Sequence, residues 1–367
     1  MVQIPEPVAA AKVGMSTAGL RRVGELVRRY VDGGRFPGVV SVVARRDRVV
    51  RVDAYGLMDV ERGRPVCPDT VFRIHSMTKP VVSVGLMMLY EDGLFQLDDP
   101  VAAFCPELAD LAVFDGGDAD HPRVRPPTRA MTVRDLLLHT SGLAGPRAGT
   151  PVGELYRRAG ITGMDSTGTL AGLPALLAEV PLQVDPGTRW IYGVSTDLVG
   201  RLCEVIGGRP LDRYLAERIF EPLGMDDTGF TVAAAAVDRF AAEYTRTAGS
   251  PAYALADDPL TSAYTRPRSF LSGVAGLVST AGDYLRFCRM LARGGELDGV
   301  RVLGPRTLRF MTVNHLPGGQ DLATMADSGG ETHRAGHGFG LGFGVLLDQT
   351  VSQTVGTAGE FFWGGAA

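Results

Sequence analysis

The chain has 367 residues, of which 45% are hydrophobic, 21% charged and 7% aromatic. This composition is typical of a globular protein with one large or two moderate domains, and it excludes a disordered chain, a fibre and a small disulfide scaffold. Because 37 basic residues stand against 41 acidic ones and no basic block occurs, a nucleic acid is not expected as a partner.

Residues 1–16 have no basic start followed by a long apolar run, so they do not resemble a signal peptide. The apolar stretches elsewhere are too short to span a membrane, and we expect a soluble, cytoplasmic protein without membrane contacts. The chain has four scattered cysteines without C-x-x-C pairs or metal-like spacing, for which we expect buried free thiols: Cys67, Cys105, Cys203 and Cys288. We expect no cofactor.

The first part of the chain predicts a helix, a hairpin and a strand. The amphipathic stretch after Ser16, which ends at Gly33, is typical of a capped helix. The valine-rich segment 38–56 has a polar centre and predicts a β-hairpin, and residues 71–74 predict a short strand.

The middle of the chain predicts mostly helices. The segment that follows Ser76 is too apolar for a surface helix, so we expect a helix that is buried along most of its length. Further helices are predicted at 132–138, 171–179, 195–206 and 211–220. The Pro/Gly/Asp-rich segment 114–127 predicts a solvated loop.

After about residue 268 the pattern returns to an α/β type. Strands are predicted within 271–280, 338–348 and 356–367, and helices at 281–293 and 305–313. The order of elements favours an α/β (α+β) fold in which both chain ends, 1–75 and 268–367, build one domain. Residues 76–267 are expected to form a mostly helical second domain.

Ser76-Met77-Thr78-Lys79-Pro80 lies where the short strand gives way to the buried helix. A serine three residues before a lysine shares its helix face, so the amine can take the hydroxyl proton. Pro80 fits only the first helical turn, which places Ser76 near the helix N-terminus, where free N–H groups favour developing negative charge. Arginine could not replace Lys79 as a base, because a guanidinium stays protonated.

A purely structural interpretation of the same residues stays open, with Ser76 as a helix cap and Lys79 as a solvated residue of the first turn. The scarcity of lysine weakens it, since Lys12 and Lys79 are the only lysines among the 37 basic residues. A Ser-x-x-Lys pair therefore arises by chance less readily than it does in a lysine-rich chain.

Three further segments could contribute to such a site. Tyr192 follows the turn signal at Pro186 and could act as a base or an acid beside a lysine, or could be merely packed. Residues 359–366 predict a strand whose glycines allow a ligand close to the backbone, or else an aromatic edge strand of the core. His139, in LLLHTSGL, is expected to mark a structural helix end rather than a catalytic histidine.

These segments, in this order and at these separations, strongly resemble the serine β-lactamase-like superfamily, in particular its class C-like branch and the family VIII carboxylesterases. The resemblance runs from about residue 17 to the last residue. It rests on five segments that are specific only in combination: FRIHSMTKP, LLLHTSGL, PGTRWIY, PLGMDDTGF and GLVSTAGDYLRF. It implies a β-lactamase/penicillin-binding-protein-like fold, with an antiparallel sheet flanked by helices and a mostly helical insert domain.

The resemblance also implies roles for individual residues. Ser76 would be the nucleophile that forms an acyl-enzyme, and Lys79 and Tyr192 would be its general acid/base pair. The backbone N–H groups of Ser76 and Ala366 would form the oxyanion hole. Trp363-Gly364-Gly365 stands at the substrate-binding position where β-lactamases carry Lys-Thr-Gly.

Two departures from the β-lactamase pattern favour an ester substrate. Trp363 replaces the lysine that helps to hold the β-lactam carboxylate in that family, and Val194 replaces the asparagine that binds its amide side chain. The resemblance therefore implies a carboxylesterase acting on small or short-acyl esters. A β-lactamase, a D-amino-acid peptidase or an acyltransferase of the same fold stays open, and an inactive penicillin-recognition module or pseudoenzyme is the alternative of a different class.

Other catalytic or metal-binding arrangements fit the sequence less well. No serine has the G-x-S-x-G setting of a Ser-His-Asp hydrolase, and His75 would point away from its neighbour Ser76 at a helix start. His333 and His337 lie in a glycine-rich segment unsuited to a helix, and the aspartates within 115–120 lack the spacing of an EF-hand. We expect no metal site.

Members of the superfamily normally continue through more sheet and a C-terminal helix beyond the strand that carries Ala366. We therefore expect these elements to be missing after residue 367, which would leave that strand without its usual neighbour. The expected partner of the chain is a small-molecule ester or amide.

Overall fold

The computed structural model describes residues 4–147, 149–163, 166, 168–246, 253–326 and 334–366. Its α-helices are α1 (Thr17–Asp32), α2 (Thr78–Glu91), α3 (Val133–Leu137), α4 (Pro151–Arg158), α5 (Leu173–Ala178), α6 (Ser195–Gly207), α7 (Leu211–Leu215), α8 (Glu221–Leu223), α9 (Ala281–Ala292), α10 (Pro305–Met311), α11 (Leu322–Met325) and α12 (Gln349–Ser352). None of these helices has both the length and the apolar character that crossing a bilayer requires, as far as the described residues extend.

Short antiparallel strands lie between the helices. They are β1 (Gly38–Arg45), β2 (Arg48–Asp59), β3 (Arg64–Pro65), β4 (Val71–Arg73), β5 (Val113–Gly117), β6 (Pro122–Arg125), β7 (Glu243–Arg246), β8 (Tyr253–Asp257), β9 (Val278–Thr280), β10 (Glu296–Leu297), β11 (Val300–Arg301), β12 (His337–Phe339), β13 (Gly344–Leu346) and β14 (Phe361–Phe362). β1-β2-β3 and β12-β13-β14 are three-stranded sheets, and β4-β9, β5-β6, β7-β8 and β10-β11 are two-stranded ladders.

The N-terminal helix and hairpin follow the sequence pattern. The side chain of Ser16 accepts a hydrogen bond from the Gly19 N–H and caps α1, which packs on β2. Between β1 and β2, Arg46 and Asp47 have φ of 51° and 60°, as a two-residue hairpin turn with the twist of the strands requires. The predicted helix and hairpin are therefore confirmed.

Helix α2 is the central helix of the molecule. Every residue from Thr78 to Leu89 is buried, and α6 packs along it. A helix that is apolar on nearly all sides is stable only where other elements surround it, as the sequence predicts for this segment. Its burial carries the side chain of Lys79 into the interior.

The β4-β9 ladder joins distant parts of the chain directly before α2. Val71 to Arg73 pair with Val278 to Thr280, and the Ile74 N–H donates to the Leu277 carbonyl at 3.1 Å. This ladder fixes the direction in which the chain enters α2. It is consistent with a domain built from both chain ends, while the division at residues 75 and 268 stays a prediction.

Two predictions in the middle of the chain were wrong in detail. The segment 114–127 contains most of the β5-β6 hairpin rather than only a loop. The helix predicted at 211–220 is α7 followed by a π-helical turn at Ala216–Phe220. All four cysteines are free, but Cys67 and Cys288 are exposed, whereas the other two are buried as expected.

The predicted strands near the end of the chain are shorter than expected. Within 271–280 only β9 is a strand, because a Cβ at Gly273 would lie 2.4 Å from the Thr196 carbonyl oxygen. This close approach packs residues 272–274 as a loop against α6 instead of extending them. Within 356–366 only β14 forms a ladder, pairing Phe361 and Phe362 with β13.

Candidate active site

Ser76 lies in the single helical turn His75–Met77 between β4 and α2. His75 is buried with φ of 44°, a left-handed conformation that is uncommon for residues with a side chain. Its Nε2 atom lies 2.9 Å from Glu243 Oε1, so the imidazole faces that carboxylate. The Tyr284 hydroxyl donates to the Met77 carbonyl at 3.0 Å, and the turn is thus held from two sides with Ser76 half-buried.

Lys79 is buried in the first turn of α2, with 1% of its surface exposed. Its Nζ atom lies 3.0 Å from Ser76 Oγ and 3.0 Å from the carbonyl oxygen of Val274. Burial lowers the pKa of Lys79 to about 7, against the opposing effect of the Asp197 carboxylate. Much of the amine is therefore uncharged at neutral pH, and the solvated position that a purely structural interpretation needs is wrong.

Tyr192 reaches Ser76 from the segment that precedes α6. Its hydroxyl donates to Ser76 Oγ at 2.7 Å, and its ring centroid lies 4.3 Å from Lys79 Nζ. The ring stacks on Trp190 at a centroid distance of 5.6 Å and an interplanar angle of 9°. The Lys79 amine and the Tyr192 hydroxyl, which come from segments far apart in the sequence, thus meet at the Ser76 hydroxyl.

His139 supports the segment that carries Tyr192. Its carbonyl accepts the Ile191 N–H at 2.8 Å, and its ring centroid lies 5.2 Å from that of Tyr192 and 5.4 Å from that of Trp190. Burial and, to a lesser extent, the nearby Lys79 lower the pKa of His139 to about 3, so the imidazole is neutral. This packing agrees with the structural role predicted from the sequence.

Asp197 and the loop 272–274 were missed by the sequence analysis. The buried Asp197 lies in the first turn of α6, and its Oδ1 atom accepts hydrogen bonds from Ser272 Oγ at 2.8 Å and the Val274 N–H at 3.0 Å. The segment Gly193-Val194-Ser195-Thr196-Asp197 lacks only the second glycine of the G-x-S-x-G motif, and its aspartate was given no role. A sequence signal for Asp197 was available, because an aspartate among the apolar positions of a buried helix needs hydrogen-bond partners.

A cavity of about 370 Å³ opens beside Ser76. Its wall is formed by residues before α2, around Tyr192, in α11, before β12 and in the C-terminal segment: Ser76, Tyr192, Leu322, Arg334, Phe362, Trp363, Gly364, Gly365 and Ala366. The cavity is large enough for a small organic molecule. Arg334 is the one charged residue among the described residues that line it.

The segment Trp363–Ala366 passes close to the chain before Ser76. A Cβ at Gly365 would lie 2.4 Å from the Ile74 carbonyl oxygen, whereas a Cβ at Gly364 would meet nothing within 4 Å. Trp363 is half-buried and Gly364 to Ala366 are exposed. The structure therefore brings all the predicted site residues to one cavity, except Lys79, which lies behind Ser76 and does not line it.

The remaining residues singled out in the sequence lie elsewhere. Val194 is buried before α6 and does not line the cavity. His333 lies outside the described residues, while the His337 ring packs edge-on against Phe362. Asp118 accepts backbone N–H groups in the β5-β6 turn. Where the chain is described, no three His, Cys, Asp or Glu side chains cluster in a way that could hold a metal ion.

Comparison with known proteins identifies similar chains. A model of the family described as Beta-lactamase matches residues 23–367. Protein Rv1367c of Mycobacterium tuberculosis (strain ATCC 25618 / H37Rv) is 37% identical over 344 residues, which cover 93% of this chain and 83% of that protein. Esterase EstB of Burkholderia gladioli is 33% identical over 349 residues, which cover 90% of this chain and 81% of that protein.

A solved structure extends the similarity to three dimensions. The structure described as EstCE1, a hydrolase with promiscuous acyltransferase activity, has a TM-score of 0.78 and 29% sequence identity. The match covers 94% of this chain and 87% of that one. The fold expected from the sequence is therefore confirmed.

Proposed function

The chain belongs to the beta-lactamase family, and from this premise we propose that it is a serine hydrolase that forms an acyl-enzyme on Ser76 and cleaves small or short-acyl carboxylic esters. One observation carries the proposal. The Ser76 hydroxyl lies within hydrogen-bond distance of both the Lys79 amine and the Tyr192 hydroxyl, and Ser76 lines a cavity that can admit a small molecule.

In the first step the uncharged Lys79 amine takes the proton of the Ser76 hydroxyl as the oxygen attacks the ester carbonyl. The new carbon–oxygen bond forms while the carbonyl electron pair moves onto its oxygen. The backbone N–H groups of Ser76 and Ala366 are proposed to stabilise this oxyanion. Both residues line the cavity, and each lies within two residues of the close approach between Gly365 and Ile74.

In the second step the tetrahedral intermediate collapses and the bond to the leaving alcohol breaks. The alcohol oxygen takes a proton from the Tyr192 hydroxyl, which Lys79 restores, and the acyl group stays on Ser76. Water then repeats the same sequence on the acyl-enzyme and releases the acid. Tyr192 and Lys79 are suited to this relay because both contact Ser76 Oγ.

The chemical character of the cavity supports an ester rather than a β-lactam. Trp363 presents an aromatic ring where a lactamase carries the lysine that holds the substrate carboxylate, and Val194 is buried away from the cavity. The similarity to Esterase EstB supports the same choice. A chromogenic cephalosporin that is turned over faster than simple esters would contradict it.

Acyl transfer to an alcohol is the second candidate. It is supported by the similarity to EstCE1, whose description names promiscuous acyltransferase activity. An acyl-enzyme on Ser76 can be released by any hydroxyl that reaches it, so hydrolysis and transfer share every earlier step. Formation of a new ester in the presence of short alcohols, measured against acid release, separates the two activities.

Intact-mass spectrometry after exposure to a fluorophosphonate, together with hydrolysis of p-nitrophenyl acetate and butyrate, tests the proposal. The wild type should gain one adduct and turn over both esters. Ser76→Ala should lose the adduct and at least about a thousandfold in kcat/KM. The exposed Ser269 provides a matched control, and Ser269→Ala should behave as the wild type.

Other outcomes of this experiment would contradict the proposal. A folded wild type that takes no adduct would show that Ser76 is not an activated nucleophile. An adduct without ester turnover would favour the penicillin-recognition or pseudoenzyme alternative, because labelling needs only the nucleophile whereas turnover also needs release of the acyl group.

A further inference from the structure

Asp197 is a buried carboxylate close to the site but outside the cavity. It is 1% exposed and does not line the space beside Ser76, so it cannot touch a substrate there. Burial raises the pKa of Asp197 to about 6, and the hydrogen bond from Ser272, then the one from the Val274 N–H, oppose this rise. The carboxylate is therefore largely ionised at neutral pH, which is unusual for so deeply buried a group.

The loop 272–274 connects this carboxylate to the Lys79 amine. Asp197 Oδ1 accepts the Ser272 hydroxyl and the Val274 N–H, and the Val274 carbonyl accepts a hydrogen bond from Lys79 Nζ at 3.0 Å. Gly273 lets the loop lie directly on α6, because any Cβ there would meet the Thr196 carbonyl oxygen. The position of the Val274 carbonyl thus depends on the carboxylate that holds the peptide N–H of the same residue.

We propose that Asp197 is the positioning residue for the Lys79 amine: it fixes the Val274 carbonyl that orients Nζ toward Ser76 and supplies the negative charge that keeps Lys79 able to cycle between its two protonation states. The proposal rests on the proposed function of Lys79 as the base. Asp197 acts through Val274 and through its charge, and not by contact with the reacting atoms.

Among the described residues that face Lys79, Asp197 supplies the negative charge. The 190–194 segment contributes the Tyr192 phenol, whose ring lies 4.3 Å from Nζ, and the 136–143 segment contributes His139, which is neutral. The 272–274 loop contributes a carbonyl, and α6 contributes the Asp197 carboxylate. Without that carboxylate, burial alone acts on Lys79 and its pKa falls further.

Asp197→Asn separates the charge from the hydrogen bonds, because the amide oxygen can still accept from Ser272 and Val274. We expect the acid limb of the pH profile of kcat/KM for p-nitrophenyl acetate to move to lower pH by about one unit. Asp197→Ala removes both contributions, so it should show the same shift and lose a further ten- to hundredfold, roughly, at its plateau. KM should change little in either variant, because Asp197 does not line the cavity.

Two further variants distinguish positioning from a general loss of stability. Ser272→Ala weakens the loop but leaves the carboxylate in place, so its plateau should fall. Its acid limb should move less than that of Asp197→Asn, because only one of the hydrogen bonds that keep Asp197 ionised is lost. Asp283 is a buried carboxylate in α9 that accepts the Asp227 N–H and the Thr228 hydroxyl and has no contact with Lys79 among its described partners. Asp283→Asn should leave the acid limb of the pH profile unchanged, even if it lowers the melting temperature.

The two lysines of the chain allow a test that does not depend on activity. Protein labelled with 13C at the lysine ε position gives two lysine signals, and the exposed Lys12 serves as the internal reference. The midpoint of the Lys79 titration should move to lower pH in Asp197→Asn and stay in place in Asp283→Asn. An unchanged Lys79 midpoint in folded Asp197→Asn would overturn the inference, whether or not the protein has esterase activity. A shifted midpoint in a protein without esterase activity would support the link between Asp197 and Lys79, while the missing activity would refute the proposed function.

Discussion

The two walls that meet at Ser76 are built in opposite ways. The base wall, defined as Lys79, Asp197 and Val274, is largely buried and acts through a side-chain amine and a carbonyl held by a carboxylate. The strand wall, defined as Trp363–Ala366, is half-buried to exposed and offers mainly backbone. Under the proposed function, proton transfer takes place where water is excluded, whereas substrate contact uses a surface that solvent reaches.

This difference predicts how each wall responds to substitution. In the base wall, replacing an ionisable group should lower the activity even when the size of the side chain is kept, because burial controls the charge of each group. In the strand wall the reaction rate should change mainly where a Cβ disturbs the backbone, whereas the side chain of Trp363 should affect the choice of substrate.

Lys79→Arg keeps a positive charge in the base wall but removes the capacity to accept a proton, because a guanidinium stays protonated. We expect kcat/KM for p-nitrophenyl butyrate to fall on the order of 10³-fold. Lys12→Arg is the matched control at the exposed lysine and should be indistinguishable from the wild type.

Lys79→Met tests the same role in case the arginine variant fails to fold, since an unbranched apolar side chain fits a buried position with little strain. It should be as inactive as Lys79→Arg while it melts at or above the temperature of the wild type. Either variant retaining more than about a tenth of wild-type activity would show that Lys79 is not the base.

The two glycines of the strand wall form a matched pair. Gly365→Ala places a Cβ 2.4 Å from the Ile74 carbonyl oxygen and must push the segment away from Ser76, whereas Gly364→Ala meets nothing within 4 Å. If the Ala366 N–H stabilises the oxyanion, Gly365→Ala should lower kcat about a hundredfold with a small change in KM. Gly364→Ala should stay within about twofold of the wild type. Equal activities in the two variants would show that the backbone of the strand wall does not stabilise the oxyanion.

The sequence predicted the parts of this site that depend on local geometry. Ser76 and Lys79 are three residues apart at a helix start, so helix periodicity alone brings hydroxyl and amine together. Tyr192 lies 116 residues from Ser76, and its position beside Ser76 was predicted only from the resemblance to a family. Asp197 and Val274 are 77 residues apart, and the alternating apolar pattern of 271–280 concealed a loop that only the close packing of Gly273 on α6 explains.

The base wall should also set the pH dependence of ester hydrolysis. Burial lowers the pKa of Lys79 to about 7. In the proposed function the uncharged amine is the active form, so activity should rise with pH through neutrality. Between pH 6 and pH 8 the uncharged fraction grows from roughly one tenth to nine tenths, which predicts about a ninefold rise in kcat/KM. Gly365→Ala should keep this midpoint, because it alters only the strand wall. A shifted midpoint in that variant would show that the two walls are coupled.

The smallest effect is expected at Arg334, at the edge of the strand wall. Its guanidinium lies 5.3 Å from the Phe362 ring centroid and lines both the cavity and an adjoining space of about 510 Å³. An exposed charge interacts weakly, so Arg334→Ala should reduce hydrolysis of mono-p-nitrophenyl succinate only about two- to fivefold relative to the neutral butyrate. Arg334→Lys should preserve the ratio, and salt at about 1 M should abolish it by screening. A ratio unaffected by both substitution and salt would mean that the strand wall discriminates substrates by shape alone, through Trp363 and the glycines.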